Sequence, residues 1–320
     1  MGSKTKLQTR GLAVACTAAI LAVPLDASAF CRTRTVPTAA NFDPSKTGQC
    51  STDGVPLFWR NSCVGYSIQN KLSRKVSLDT ASDLIATAFT RWSGATCPTD
   101  GAGRSRVSID VRYLGLVECG EIKQVAGAAN QNVIVFRDDY WPDKLHGVLG
   151  LTTVKYNPTN GEIYGADMEI NTHDMDPLVF EDPVKPGGYD FLSIVTHEAG
   201  HFLGMGHSDI QHTTMFASYE NERGETDLRV LASDDILGIC SIYRPDGSRS
   251  VLSKEEFQSP QCDPTPRGGY SSVCQEAPGA QCLGSTSPSK PSSGIGWSTA
   301  VVGALLLLRF RRRRMGSNRL

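Results

Sequence analysis

The stretch HEAGHFLGMGH, His197 to His207, constrains this chain more than any other feature. The chain holds only six histidines in 320 residues, and three of them fall here, at i, i+4 and i+10. A helix turns about 100° per residue, so His197, Glu198 and His201 share one side of it. Phe191, Leu192, Val195, Ala199, Phe202 and Leu203 gather on the opposite side. The spacing therefore predicts a helix from Asp190 to Leu203 with one face for the core and one for chemistry. Imidazole nitrogens suit Zn²⁺, and three protein ligands leave a fourth position open, as catalytic sites require. Glu198 stands beside the metal without being needed as a ligand, the position of a general base. Gly204 ends the helix, because a residue without Cβ takes the left-handed turn that swings His207 back.

This pattern resembles the long zinc signature of the metzincin metallopeptidases. Ser208 follows His207 as in the matrixin branch, and Met215, eight residues after His207, stands where matrixins place the methionine of their Met-turn. Tyr219 occupies the position of the tyrosine that follows it, while Ala217 replaces the proline usual there. LASDDILGICSIY, Leu231 to Tyr243, looks like the matrixin C-terminal helix. The resemblance covers roughly residues 56–245 and is strongest from Asp190 onward. It implies an α+β metzincin (zincin-like) domain with a twisted mixed sheet, an active-site helix and a C-terminal helix. It further implies a zinc endopeptidase in which His197, His201 and His207 hold one Zn²⁺ and Glu198 is the base. Met215 and Gly204 support the site, and Tyr219 borders the pocket for the residue after the cut. The strand in 148–156 would pair with an extended protein or peptide substrate. Two rival readings are a non-catalytic surface module, which would have lost the base that Glu198 preserves, and a zinc hydrolase acting on something other than protein.

The ends of the chain read as addresses. Lys4, Lys6 and Arg10 precede an apolar run from Gly11 to Leu25, and Ala27-Ser28-Ala29 makes a small-residue cleavage site. Residues 1–29 are thus expected to be a signal peptide. At the other end, 295–308 is apolar and is followed by Arg309 and Arg311 to Arg314. At about 1.5 Å per residue that run spans about 21 Å, short of the ~30 Å hydrocarbon core. Residues 294–320 look like a bacterial C-terminal sorting tail of the sortase-like or myxobacterial type, with membrane contact through the apolar segment and its arginines. Without the two ends, Lys+Arg falls from 32 to 23 and Asp+Glu from 33 to 32, leaving a body near −9. Such a charge opposes nucleic-acid binding. Oligomeric state is not legible.

Between the ends, 30–55 reads as an N-terminal arm. Within 56–245, Asp79 is expected to cap a helix through Trp92 carrying Ala81, Ile85, Ala88 and Phe89. Val107 to Tyr113 alternates as a half-buried strand, and Asn132 to Phe136 is continuous and central. Val148 to Tyr156 and Glu162 to Asn171 form a hairpin. A last helix starts after Ser233, with Asp234 and Asp235 at its positive end and Ile236, Ile239, Cys240 and Tyr243 buried. Residues 246–293, rich in Pro, Gly, Ser and Cys, read as a linker. Nine cysteines outside Cys16 predict disulfides with one left over. Disulfide formation also outweighs any reach of Cys31 or Cys50 to the zinc. His146, His173 and His212 are expected on the surface. Asp167 and Glu169 share one strand face; the resemblance makes Ca²⁺ possible there, and solvated carboxylates are the alternative.

Overall fold

The computed structural model describes residues 30–36, 50–98, 104–122, 124–125, 128–219, 226–252, 255–258, 262–274 and 303–310. The expected signal peptide, residues 275–302 with Cys282, and the Arg311 to Arg314 block lie outside them. The first half supplies β1 (Cys63–Gln69), α1 (Leu78–Ser93), β2 (Thr96–Pro98), β3 (Arg104–Arg106), β4 (Asp110–Val117), β5 (Val133–Phe136), β6 (Val148–Tyr156) and β7 (Ile163–Ile170). Then come β8 (Leu178–Val179), β9 (Tyr189–Asp190), α2 (Phe191–Phe202), β10 (Ser218–Tyr219), α3 (Ser233–Ile242), β11 (Ser248–Leu252), β12 (Glu255–Gln258) and β13 (Gly303–Phe310).

Seven strands form one mixed sheet in the order β10-β13-β6-β7-β5-β1-β4. β5 is central and fully buried, as its unbroken apolar sequence predicts. β6 and β7 make the expected antiparallel hairpin. α2 packs against β6 and β7 on one side and against α1 on another. The Trp92 indole of α1 donates to Thr196 O of α2 at 2.7 Å. One large core joins both helices to the sheet through Ile68, Ile85, Phe89, Ile134, Phe191 and Phe202.

Several local expectations need correction. Ser77, not Asp79, caps α1: its side chain accepts from Thr80 N, and Asp79 sits inside the first turn, where the helix dipole favours it. The strand expected over Val107 to Tyr113 begins only at Asp110. Val107 and Ile109 are buried ahead of it, and Tyr113 is exposed, because β4 lies at the sheet edge with a poorly covered face. In α3, Gly238, Ile239 and Ile242 are buried while Ile236 and Cys240 are only half-buried. α2 is not two-faced. All twelve of its residues are buried, because β6 and the segment bearing Met215 close over the chemical side as well.

The linker reading also changes. Beyond Arg244, β11 and β12 form a hairpin, and disulfides Cys63–Cys262 and Cys119–Cys274 fasten residues 262–274 to the sheet. Arg249 is fully buried, donating to Ser108 O, Ser108 Oγ, Trp59 O and Asn61 O, with its guanidinium over the Tyr243 ring. A low density of apolar residues hid this packing, since disulfides and one arginine do the anchoring. No helix among the described residues is long and apolar enough to cross a membrane. Of the expected membrane-contacting run, Gly303 to Leu308 is instead part of β13, inside the sheet.

Candidate metal centre

Asp190 caps α2 and sets where its histidines fall. Its carboxylate accepts from Ser193 N at 3.0 Å and from the Arg229 guanidinium at 2.6 and 2.7 Å. The cap thus satisfies an orphan amide, and the bidentate arginine balances a carboxylate with no solvent exposure. After Phe202 the chain turns at Gly204, whose φ of 94° is left-handed, as expected. His207 then comes back to α2.

His197, His201 and His207 each offer a ligand atom, and these atoms all lie within 4.8 Å of one another. His197 Nδ1 faces Thr214 O at 2.7 Å and His201 Nδ1 faces Met205 O at 2.9 Å. Each such carbonyl fixes the proton on Nδ1 and leaves the Nε2 lone pair for a cation. His201 Nε2 stands 3.2 Å from His207 Nε2. Two nitrogens on one tetrahedral zinc at 2.0–2.1 Å would be about 3.3 Å apart. His197 Nε2 is buried with no protein partner. Burial pushes the His197 pKa down to about 4 and that of His201 well below the ordinary value, so both rings are neutral near pH 7, as ligands must be. The residues fit a zinc ion.

Glu198 lies beside the triad, between α2 and β6. Thr152 Oγ1 donates to its Oε2 at 2.6 Å, and Oε1 is buried without a partner. Burial pushes its pKa up to about 8 despite the Thr152 bond. Gly150 is tight against it: a Cβ there would meet Glu198 Oε1 at 2.6 Å. Met215 packs on Gly200, the turn between two histidines, where an added Cβ would fall 2.3 Å from Met215 Sδ. Tyr219 is buried in β10, and its hydroxyl accepts from Asp190 N at 2.8 Å.

Two groups escaped the sequence reading. Asp235, expected only to favour the α3 dipole, accepts from Thr214 N at 2.8 Å and Met215 N at 3.0 Å. It thereby holds the turn whose Thr214 carbonyl orients His197. Thr152, which fixes the Glu198 carboxylate, is 46 residues distant in sequence and carried no motif. His146, His173 and His212 are exposed, as expected. Asp167 is not a solvated carboxylate: it is buried, accepting from Val133 N and Gln124 Nε2, and Glu169 pairs with Arg137. Among the described residues, the histidine triad is the one group of three or more His, Cys, Asp or Glu within reach of a single ion.

Residues 123–244 match the family model described as Matrixin. That segment is matrixin-like. The mixed sheet with its packed helices is consistent with the α+β architecture of a metzincin catalytic domain. Metalloendoproteinase 1-MMP of Arabidopsis thaliana is 31% identical over 103 residues, covering 31% of this chain and 26% of that protein. Human matrilysin is 44% identical over 68 residues, 21% of this chain and 24% of its own. Metalloendoproteinase 1 of Glycine max is 29% identical over 165 residues, 52% of this chain and 46% of that protein. The chain thus spans about a quarter to under half of the length of these relatives.

Proposed function

We propose that this chain is an exported zinc-dependent endopeptidase cleaving protein or peptide substrates. The convergence of three imidazoles, two of them kept neutral by burial, beside a buried carboxylate oxygen without a partner carries this reading. His197, His201 and His207 would hold the ion, with Thr214 O and Met205 O keeping two of the rings in the ligating tautomer. Zinc bound there supplies a Lewis acid that polarises the scissile carbonyl and acidifies a water. Burial favours the protonated acid, so it is in its ionised form that Glu198 would take a proton from the attacking water and pass it to the leaving amine. Thr152 holds one carboxylate oxygen so that the other is free to do this. Met215, gripped by Asp235 through its amide, is a rigid floor for the triad. Tyr219 in β10 borders the space beyond the scissile bond, and β6 is the rim along which an extended substrate pairs.

Export rests on residues 1–29, with cleavage after Ala29, and the surface or medium is the destination. The C-terminal residues read as a bacterial sorting tail, and calcium is assigned no residues. Glu198→Gln tests the chemistry. It keeps size and removes the proton acceptor, so hydrolysis of a quenched peptide should fall at least ~10²-fold while zinc stays near one per chain. Near-normal turnover would remove Glu198 from the mechanism, and mass spectrometry of termini in a casein digest would identify the bond class.

A further inference from the structure

β13 reads GALLLLRF and lies between β6 and β10. It runs antiparallel to β6, from Gly303 opposite Lys155 to Leu308 opposite Gly150 and Arg309 opposite Val148. It runs parallel to β10, Arg309 opposite Ser218 and Phe310 opposite Tyr219. β6 is the rim proposed for an extended substrate, and β10 begins three residues after Met215. The chain's own C-terminal strand therefore joins the two walls of the cleft, and it also lies against α2. The register fixes its depth. Gly150 is the residue whose missing Cβ leaves room for the Glu198 carboxylate, and Leu308 is its partner. The break in the β6–β13 register falls at that level, between Leu308 and Arg309. His197, Glu198 and His201 have no solvent exposure.

We propose that Gly303–Phe310 is a built-in occupant of the substrate cleft, paired as an extended substrate would be, which keeps the site closed until it leaves. The proposal rests on the endopeptidase reading above. A free substrate must displace a tethered strand present at high effective concentration. The tether suffices, because residues 275–302 can reach on the order of 90 Å when extended. Paired with β6, this apolar run is unavailable to a membrane. Closed cleft and membrane-associated tail are thus alternative states of one segment, and the cleft takes an extended, leucine-rich strand with its N-to-C direction opposed to β6.

Amide hydrogen exchange tests this independently of activity, using the chain from Phe30 with Glu198→Gln to prevent cleavage. Three forms are compared: the full chain, a truncation after Val302, and the double variant Leu305→Pro, Leu306→Pro. Adjacent prolines remove a ladder donor whichever of the two faces β6. Both altered forms should exchange β6 amides at least about tenfold faster, with β1, β5 and β7 unchanged as the folding control. On the Glu198 background, peptide hydrolysis should rise about tenfold or more on truncation, as the open fraction rises. Unchanged β6 exchange in both altered forms overturns the proposal. Faster β6 exchange without hydrolysis in any form upholds the occupant and removes the endopeptidase reading instead.

Discussion

Asp167 illustrates what burial does to a carboxylate that the chain satisfies only in part. Its Oδ1 accepts from Val133 N at 2.9 Å and Gln124 Nε2 at 3.2 Å, whereas Oδ2 is buried without a partner. Burial pushes its pKa up to about 6, and these bonds and the nearby Lys155 charge only moderate the rise. An unfolded aspartate titrates near 3.9. Between about pH 4 and pH 6 the folded chain therefore keeps a proton that the unfolded chain has lost. Stability falls as pH rises through that window, by about 3 kcal/mol in total, and the loss is complete above it. Asp167→Asn keeps the shape and removes the charge. Melting should show the variant gaining far more over the parent at about pH 7.5 than at about pH 4. Equal gains at both would mean that Asp167 is not the group responsible.

At the scale of elements, the N-terminal arm holds the loop that delivers His207. Thr33 N donates to Gly204 O at 2.9 Å, Thr33 Oγ1 to Met205 O at 2.8 Å, and Gly206 N to Cys31 O at 2.8 Å. Phe30 N donates to the buried Asp234 carboxylate at 3.0 Å, which also accepts from Ser208 Oγ. Cleavage after Ala29 would make that nitrogen an ammonium, and charge-assisted bonds are about twice as strong as neutral ones. A chain retaining Ala29 should lose about 1–2 kcal/mol in denaturant unfolding relative to one starting at Phe30. Equal midpoints would show that the terminal charge contributes nothing. The arm itself was legible as 30–55, but its contacts to the His207 loop were not, nor were the roles of Thr152 and Asp235, because such pairings join residues far apart and leave no periodic trace. α2, the β6–β7 hairpin and β5 were legible, since local periodicity, a cap and a turn mark each one. The sheet pairing of β13 was not legible for a different reason. An apolar run of that length suits a membrane or a sheet equally, and only its partners, about 150 residues earlier, decide between them.

At the scale of the whole molecule, four disulfides among the described residues divide the work of closure. Cys31–Cys50 closes the arm and Cys97–Cys240 ties β2 to α3. Cys63–Cys262 and Cys119–Cys274 fasten residues 262–274 to the start of β1 and the end of β4. There Glu118 N donates to Ser272 O at 2.7 Å, and Asn130 bridges to Tyr270. β4 is the edge strand farthest in the sheet from β6 and β10, so this segment guards an edge remote from the histidines. Bridges closing such long loops contribute about 2–4 kcal/mol each, mainly by restricting the unfolded chain. Replacing Cys63, Cys262, Cys119 and Cys274 by serine should therefore lower the melting temperature and speed exchange in β4. Zinc content and peptide hydrolysis per folded molecule should stay as in the parent, because α2, the Met215 turn and β6 keep all their own contacts. Zinc lost at temperatures where the rest of the sheet is still protected would mean that the two edges are coupled, and that residues 262–274 help to build the metal centre.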